Sequence, residues 1–342
     1  MLNPYKNVVW PTHRHIKSLS HTHIAYQSPF DRAVELGYEH ICATDYQPSA
    51  PRYPLSQHFT NIPNGVIGSP NSEKVNTIDS YHYNALGSFA EGHGHGVETE
   101  KIDYQTLFDE IFAGLQYPDG GGVTINHPVG RKLSQCCERL DYDSRVLGIE
   151  VYNSYYEKYV EGNSTRYPGF YKEMLKFWDS ILSTGRRCFG FFVVDWFGVS
   201  TDCGSNMLVV PEFTENTEDN EHKCLKAYRD GSFYGMIKDT GLRFSSIEVQ
   251  ENNPIITASV NKTAELRVYT SNGLVKSTIG ESISYTANET DVFVRVEATD
   301  TTDEEGSIYS NPIMFDAGDF NNNESAKESK NKKRILLLCG GY

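Results

Sequence analysis

The chain is poor in positive charge, and this shortage narrows the functions that it can have. Its 342 residues include 31 lysines and arginines against 45 aspartates and glutamates, for a formal net charge of -14 at pH 7. Nucleic-acid-binding proteins need a basic patch to contact phosphates, and anionic membrane surfaces attract basic residues for the same reason. We therefore expect neither a nucleic acid nor a membrane among its partners.

Long apolar runs and paired cysteine motifs are also missing. No stretch approaches the ~20 apolar residues of a membrane-spanning helix, and no apolar core of a secretory signal follows the first six residues. The cysteines are odd in number, scattered and without C-x-x-C spacing, which suits reduced thiols. They are Cys42, Cys136, Cys137, Cys188, Cys203, Cys224 and Cys339. These features predict a cytoplasmic protein.

From about residue 15 to about residue 240, short apolar strands alternate with helical segments. Residues 146–152 and 188–194 have the composition of buried strands, whereas residues 103–115 and 166–182 place apolar side chains at helical spacing. Such alternation is typical of an α/β fold with a parallel sheet or barrel. After about Gly241 the helical segments stop, and β-branched runs are separated by Asn, Gly and Thr.

The domain organisation follows from this change of pattern. We predict an α/β barrel over residues 1–242, a small antiparallel β-sandwich-like domain over residues 243–317, and a polar, flexible tail over residues 318–342. The strands predicted for the second domain are 244–249, 255–260, 264–269, 282–285 and 292–297.

A pair of histidines, His21 and His23, stands at the end of the first predicted strand. Side chains at i and i+2 of a strand point the same way, so both imidazoles can reach one metal ion. Other polar residues follow the later strands, where the carboxyl ends of barrel strands form one face that carries the chemistry. They are Asp45, Glu73, His82, His127, Asn153 and Asp195. Imidazoles and carboxylates together suit Zn, Mn or Fe, with enough donors for two ions.

Each of these residues also has a simpler interpretation. His82 can be a core histidine, His127 can cap a turn before Pro128, and Glu73 lies in a loop-like polar stretch. Asp195 follows a buried strand, where an uncompensated carboxylate is costly without a cation. Arg14 and Arg131 lie near ligand motifs and are candidate phosphate clamps, because guanidinium binds phosphate through two hydrogen bonds; the alternative for both is a surface salt bridge.

The ordered set of motifs resembles the PHP (polymerase and histidinol phosphatase) superfamily over about residues 12–240. The matching pieces are His21-Thr-His23, Thr44-Asp45, Pro70-Asn-Ser-Glu73, Tyr81-His-Tyr-Asn84, Asn126-His-Pro128, Gly148-Ile-Glu-Val-Tyr-Asn153 and Val194-Asp195. The resemblance implies a distorted (β/α)₇ TIM-like barrel and a site for up to three metal ions that usually hydrolyses phosphoesters. Residues 293–297 and 310–313 also resemble parts of the β domains that follow some PHP barrels.

Departures from the family pattern reduce the expected site. Tyr46 and Phe197 stand where the family has metal-binding histidines, and the Ser-Asp-Gly that normally follows the H-x-H is absent. We therefore expect one or two divalent ions, held by His21, His23, Glu73, His127, Asp195 and Asp45. His58 or the Gly-flanked pair His93 and His95 are possible substitutes.

The resulting hypothesis is a metal-dependent phosphoesterase in which a metal-activated hydroxide attacks a small organic phosphate. His82 or His127 would then be proton donors if they are not ligands. Aromatic residues near the predicted site favour a sugar or nucleoside group on the substrate: Tyr26, Tyr46, Tyr53, Trp196 and Phe197. The alternatives are a non-catalytic barrel that binds a metal or ligand, and an amidohydrolase-type metal hydrolase, for which no suitable bridging lysine is found.

Overall fold

The computed structural model describes residues 1–24, 26–44, 53–94, 101–158, 160–161, 164–165, 167, 169–196, 203–250, 254–316 and 319. The helices of these residues are α1 (Gln27–Glu35), α2 (Tyr104–Ala113), α3 (Leu133–Leu140), α4 (Ser154–Lys158), α5 (Phe170–Leu182) and α6 (Thr217–Asp230), with a 3-10 turn at Leu55–Gln57. No helix among them is both long and apolar enough to cross a membrane.

The strands of the first two thirds of the chain are β1 (Arg14–Thr22), β2 (His40–Ala43), β3 (Ile67–Gly68), β4 (Glu73–Val75), β5 (His82–Leu86), β6 (Gly122–Ile125), β7 (Val146–Asn153), β8 (Val160–Glu161), β9 (Ser164–Thr165), β10 (Phe189–Val193), β11 (Gly204–Val210) and β12 (Phe233–Ile237). The remaining strands are β13 (Phe244–Gln250), β14 (Ile255–Thr270), β15 (Gly273–Thr286), β16 (Phe293–Asp300), β17 (Ser307–Ser310) and β18 (Ile313–Met314).

These strands form two main sheets within the described ranges. The large sheet has eleven strands, in the order β13-β14-β16-β17-β12-β11-β1-β2-β3, with β15 paired to β14 and β18 to β16. The small sheet has five strands, in the order β10-β7-β6-β5-β4. Both are mixed: β1, β2 and β3 run parallel, as do β6, β7 and β10, whereas β11 is antiparallel to β1 and β5 is antiparallel to β6. The fold is therefore a mixed α/β fold.

Apolar helix faces cover these sheets. Helices α2 and α5 pack Leu107, Phe108, Trp178 and Ile181 into the core cluster that includes residues of β5, β6 and β7. Local sequence supports these helices: the Asp103 side chain accepts a hydrogen bond from the Thr106 N–H at 2.8 Å and so caps the start of α2.

Strand β7 is buried along its whole length, as its apolar composition predicts for a strand between two parallel neighbours. Gly148 allows β10 to approach it. A Cβ atom at this position would lie 1.9 Å from the carbonyl oxygen of Phe189, so a larger residue would push β10 away. This close contact fixes the relative positions of the strand ends that carry Asn153 and Asp195.

The structure differs from the predicted architecture in how the strands are joined. A closed (β/α)₇ barrel is not shown in the described residues, because their strands lie in two main sheets and a separate pair, β8-β9. Strand β11 is hydrogen-bonded along β1, so β10 lies in the small sheet instead of beside β1 along its length. Periodicity along the sequence predicts strands but does not say which strands are neighbours, and β11, β12 and α3 were not predicted at all.

The predicted strands after residue 243 are present, and they belong to the same large sheet as β12. Strand β17 pairs with both β16 and β12, so the large sheet continues across residue 242. The segments predicted as two strands, 255–260 and 264–269, are one strand, β14, with an irregularity in its pairing to β15 between Ser259 and Ala264. The division into domains stays a prediction, and the predicted tail, apart from Asp319, lies outside the described residues.

His40 of β2 ties β1 and β2 to the chain that follows β3. Its Nδ1 lies 2.7 Å from Ser18 Oγ and its Nε2 lies 2.8 Å from Ser69 Oγ, and the imidazole is fully buried. Burial lowers the pKa of His40 to about 3, so the native protein keeps this ring neutral while the unfolded chain protonates it below about pH 6.5.

We therefore expect a contribution of His40 to stability that is present above pH 6.5 and decreases as the pH falls towards 3. Between pH 6.5 and pH 5 the loss should be about 2 kcal/mol. Urea unfolding of the wild type and of His40→Gln at pH 7 and pH 5 measures it, because the variant lacks this titration. Equal pH dependence in the two proteins would contradict the assignment.

Candidate metal centre

The two sheets meet at the end of β1, beside the residues that follow β10. The backbone N–H of Asp195 donates to the carbonyl of His21 at 3.0 Å, and the backbone N–H of His23 donates to the carbonyl of Asp195 at 2.8 Å. Asp195 has a φ of 63°, which a residue with a side chain adopts at a cost of about 1 kcal/mol or more. This junction, which we call the seam, places Asp195 beside the H-x-H pair although it lies 172 positions after His23 in sequence.

His21 and His23 turn their Nε2 atoms towards two carboxylates at the seam. The two Nε2 atoms are 3.2 Å apart, and each lies 3.6 Å from Asp195 Oδ1. Glu73 Oε2 is 3.3 Å from His23 Nε2 and 3.8 Å from His21 Nε2. The structure therefore brings these four predicted ligands together.

Glu73 also faces a second pair of imidazoles with its other oxygen. Glu73 Oε1 is 3.0 Å from His82 Nδ1 and 3.3 Å from His127 Nε2, and it accepts a hydrogen bond from Asn126 Nδ2 at 2.9 Å. The placement of Glu73 in a loop was wrong, because it begins β4 at the edge of the small sheet, paired with Asn84 of β5. Pairing within the sheet holds the carboxylate between the two pairs of histidines.

The donor set fits divalent ions. One group is His21, His23 and Glu73 and another is Glu73, His82 and His127, with the ligand atoms of each group within 4.8 Å of one another. Glu73 Oε2 is buried and has no hydrogen-bond partner among the described residues, a state that is costly for a carboxylate oxygen unless a cation neutralises it. Imidazole and carboxylate ligands are those that Zn, Mn and Fe take in proteins.

The electrostatics of the centre favour a cation as well. Burial by itself lowers the pKa of His21, but the carboxylates of Asp195, Glu150 and Glu73 outweigh burial and raise it to about 10. Burial raises the pKa of Glu73 and Glu150, whereas His21 holds both below their ordinary range. Three buried carboxylates thus share a small set of imidazoles, and a divalent ion would replace protons as their counter-charge.

Glu150 belongs to the motif Gly148-Ile-Glu-Val-Tyr-Asn153 and lies at this site, although no role was predicted for it. Its Oε1 is 2.6 Å from His21 Nδ1, and its Oε2 accepts hydrogen bonds from the backbone N–H of His127 and from Asn153 Nδ2, both at 2.9 Å. Such a carboxylate fixes the imidazole with Nε2 facing Glu73 and Asp195. The signal was the single carboxylate in the predicted strand 146–152, which has no other charged residue.

A cavity of about 530 Å³ opens beside the second pair of histidines. Its wall includes Ser80, Tyr81, His82, Asn126, His127, Val129, Gly130, Arg131, Tyr155, Tyr156, Asp195 and Trp196. Arg131 donates to the carbonyls of Asp79 at 3.0 Å and Ser80 at 2.7 Å, and its guanidinium lies 4.2 Å from the centre of the Tyr81 ring. The predicted clamp Arg131 is therefore held at the cavity wall.

Other predicted residues lie elsewhere. Arg14 begins β1, whose eight steps to Thr22 span about 26 Å, and it pairs with Glu39, so the structure gives no support to its role as a phosphate clamp. Of the possible substitute ligands, His93 pairs with Glu110 at 3.0 Å and His58 is exposed after the 3-10 turn. Of the predicted aromatic residues, Tyr53 donates to Glu221 at 2.8 Å and Tyr26 is exposed. Asp45, Tyr46, His95 and Phe197 lie outside the described residues.

Comparisons with known proteins add little to this geometry. A scan against protein-family models and a search of curated proteins find no match. A solved structure that aligns with the chain is a two-domain protein from Bacteroides vulgatus, described as containing a predicted PHP-like metal-dependent phosphoesterase. The alignment covers 92% of this chain and 98% of that one, at 12% identity and a TM-score of 0.41. A TM-score this low establishes neither a shared fold nor a shared function.

Removal of metal is expected to lower the thermal stability of the protein. A ligand that binds only the folded state at 100 times its Kd stabilises it by about 2.7 kcal/mol, so excess Mn²⁺ or Zn²⁺ should raise Tm by several degrees over protein treated with a chelator. Scanning fluorimetry measures the shift. The shift should shrink in His21→Ala and persist in His58→Ala, and an unchanged Tm in the wild type would contradict the metal centre.

Proposed function

We propose that the protein is a PHP-like metal-dependent phosphoesterase with two divalent ions that share Glu73. The observation that carries the proposal is the position of this carboxylate, with one oxygen facing His21 and His23 and the other facing His82 and His127. A carboxylate between two sets of ligands is the arrangement that places two ions close enough to act on one phosphoryl group.

His21, His23, Glu73 and Asp195 would hold one ion, and Glu73, His82 and His127 would hold the other. Bound ions of this kind supply Lewis acidity: they lower the pKa of water and neutralise charge on phosphoryl oxygens. Among the described residues, these six predicted site residues face one another. We expect Zn, Mn or Fe, because imidazole nitrogen makes up most of the donor set.

Residues of the cavity would bind and orient the substrate. Arg131 is fixed by two backbone carbonyls and by its contact with Tyr81, so the side chain is ordered for contact with a phosphate. The Tyr156 hydroxyl lies 3.4 Å from His127 Nδ1 and its ring stacks on that imidazole, with ring centres 4.9 Å apart. Tyr156 thereby orients the Nε2 atom of His127 towards Glu73.

The size and lining of the cavity favour a small organic phosphate as substrate. A volume of about 530 Å³ is in the range of small-molecule sites, and Tyr81, Tyr155, Tyr156 and Trp196 offer aromatic surface to a sugar or a nucleoside. The aromatic residues are a feature of the cavity wall, while the predicted residues Tyr26 and Tyr53 lie away from it. A cytoplasmic location stays a prediction.

Hydrolysis should depend on the metal ligands. We expect metal-loaded protein to cleave at least one member of a panel of phosphomonoesters and phosphodiesters, and His21→Ala or Asp195→Ala to lower kcat/KM by at least a thousandfold, or about 4 kcal/mol. His58→Ala is the matched control and should retain activity. Cleavage of amides or acetyl esters, with no cleavage of phosphoesters, would favour an amidohydrolase. Bound metal with no turnover of any substrate would favour a binding protein.

Arg131 should contribute to substrate binding. Arg131→Ala is expected to raise KM ten- to a hundredfold, because a charged hydrogen bond contributes about 1.5–3 kcal/mol. Arg186→Ala is a suitable control, since Arg186 pairs with Asp141 away from the cavity. A normal KM for Arg131→Ala would remove Arg131 from the substrate site.

A further inference from the structure

Asn153, the last residue of β7, connects two buried carboxylates of the centre to a helix. Its Nδ2 group donates to Glu150 Oε2 and to Asp195 Oδ2, both at 2.9 Å. Its Oδ1 accepts from the backbone N–H groups of Tyr155 at 3.1 Å and Tyr156 at 3.3 Å, in the first turn of α4. The side chain is fully buried, so these four partners fix its conformation.

The chemistry of these partners determines the orientation of the amide. Ionised carboxylates only accept hydrogen bonds and backbone N–H groups only donate them, so an amide with its nitrogen and oxygen exchanged would face four mismatched partners. Asparagine supplies two donors and an acceptor on one short side chain. A serine hydroxyl is shorter and has a single donor, so it cannot reach both carboxylates while also capping the helix.

We propose that Asn153 is a positioning residue that couples the metal centre to the wall of the substrate cavity; this inference rests on the proposed function. On one side it holds Asp195 Oδ2, which leaves Asp195 Oδ1 3.6 Å from the Nε2 atoms of His21 and His23. It also holds Glu150 Oε2, while Glu150 Oε1 contacts His21 Nδ1.

On the other side, Asn153 sets the start of the helix that carries Tyr155 and Tyr156 to the cavity. The Tyr156 ring stacks on His127, and the backbone N–H of His127 donates to the same Glu150 oxygen that Asn153 contacts. One amide group thus constrains ligands of both proposed ions and the aromatic wall beside them. A change at Asn153 should therefore alter metal binding without removing any ligand.

The test compares Asn153→Ser with Asn311→Ser in the full chain. Asn311 is a matched control: it is also buried, donates to the carbonyls of Gly231 and Phe233 at 3.1 Å, and accepts from the Gly190 N–H at 3.0 Å. Serine is an effective helix cap, so Asn153→Ser keeps α4 while it loses the bridge between the carboxylates. Asn153→Gln, which keeps the amide and displaces it by one methylene, provides a second variant if the first does not fold.

Titration calorimetry measures the affinity for Mn²⁺. Asn153→Ser and Asn153→Gln should bind Mn²⁺ at least tenfold more weakly than the wild type does, and Asn311→Ser should bind it with wild-type affinity. The visible spectrum of Co²⁺-loaded protein, which reports ligand geometry, should change in the Asn153 variants alone. A wild-type protein that binds none of Zn²⁺, Mn²⁺ and Fe²⁺ would overturn the proposed function. Wild-type affinity and an unchanged Co²⁺ spectrum in the Asn153 variants would overturn this inference and leave the proposed function standing.

Discussion

The site depends on the neutralisation of Glu73, a carboxylate buried among four imidazoles at the edge of the small sheet. Burial of such a group costs several kcal/mol unless positive charge or hydrogen bonds compensate it, and one of its oxygens has no hydrogen-bond partner in the part of the chain that the structure describes. Imidazoles from three separate parts of the chain supply the compensation. Pairing of β4 with β5 positions Glu73 and His82, β6 leads to His127, and β1 delivers His21 and His23.

Around this carboxylate the polar residues form a continuous network. Glu150 contacts His21 and the backbone of His127, Asn153 joins Glu150 to Asp195, and Asn126 contacts Glu73. Satisfied buried networks hold a unique geometry, whereas a network that loses one member leaves its neighbours unpaired in a low dielectric. The positions of the ligand atoms are therefore a property of the whole network and of the sheet that carries it.

Much of this site could be predicted from the sequence, and the reason is geometric. His21, His23, His127 and Asp195 each lie near or just beyond the carboxyl end of a strand, as predicted. His82 was predicted to follow a strand but begins β5, and it reaches the same edge because β5 is antiparallel to β6. Arg14 was predicted at the site because it is close to the H-x-H pair in sequence. It begins β1, however, and the length of this extended strand separates it from the histidines. Glu150 was missed because periodicity gives a buried strand but no information on which side chain meets which. The pairing of β11 with β1 is a tertiary contact, which the local sequence pattern does not specify.

The seam between the sheets gives the centre a role in the integrity of the fold. His21 belongs to the large sheet, Glu73 to the small sheet, and Asp195 to the segment that crosses between them. An ion bound by all three would link the two sheets across the seam, since the sheets could separate there only after a bond between the ion and a ligand had broken. Resistance to proteolysis at this junction would then be governed by the rate at which such an ion dissociates, and the lifetime of the folded protein would depend on the kinetics of metal release.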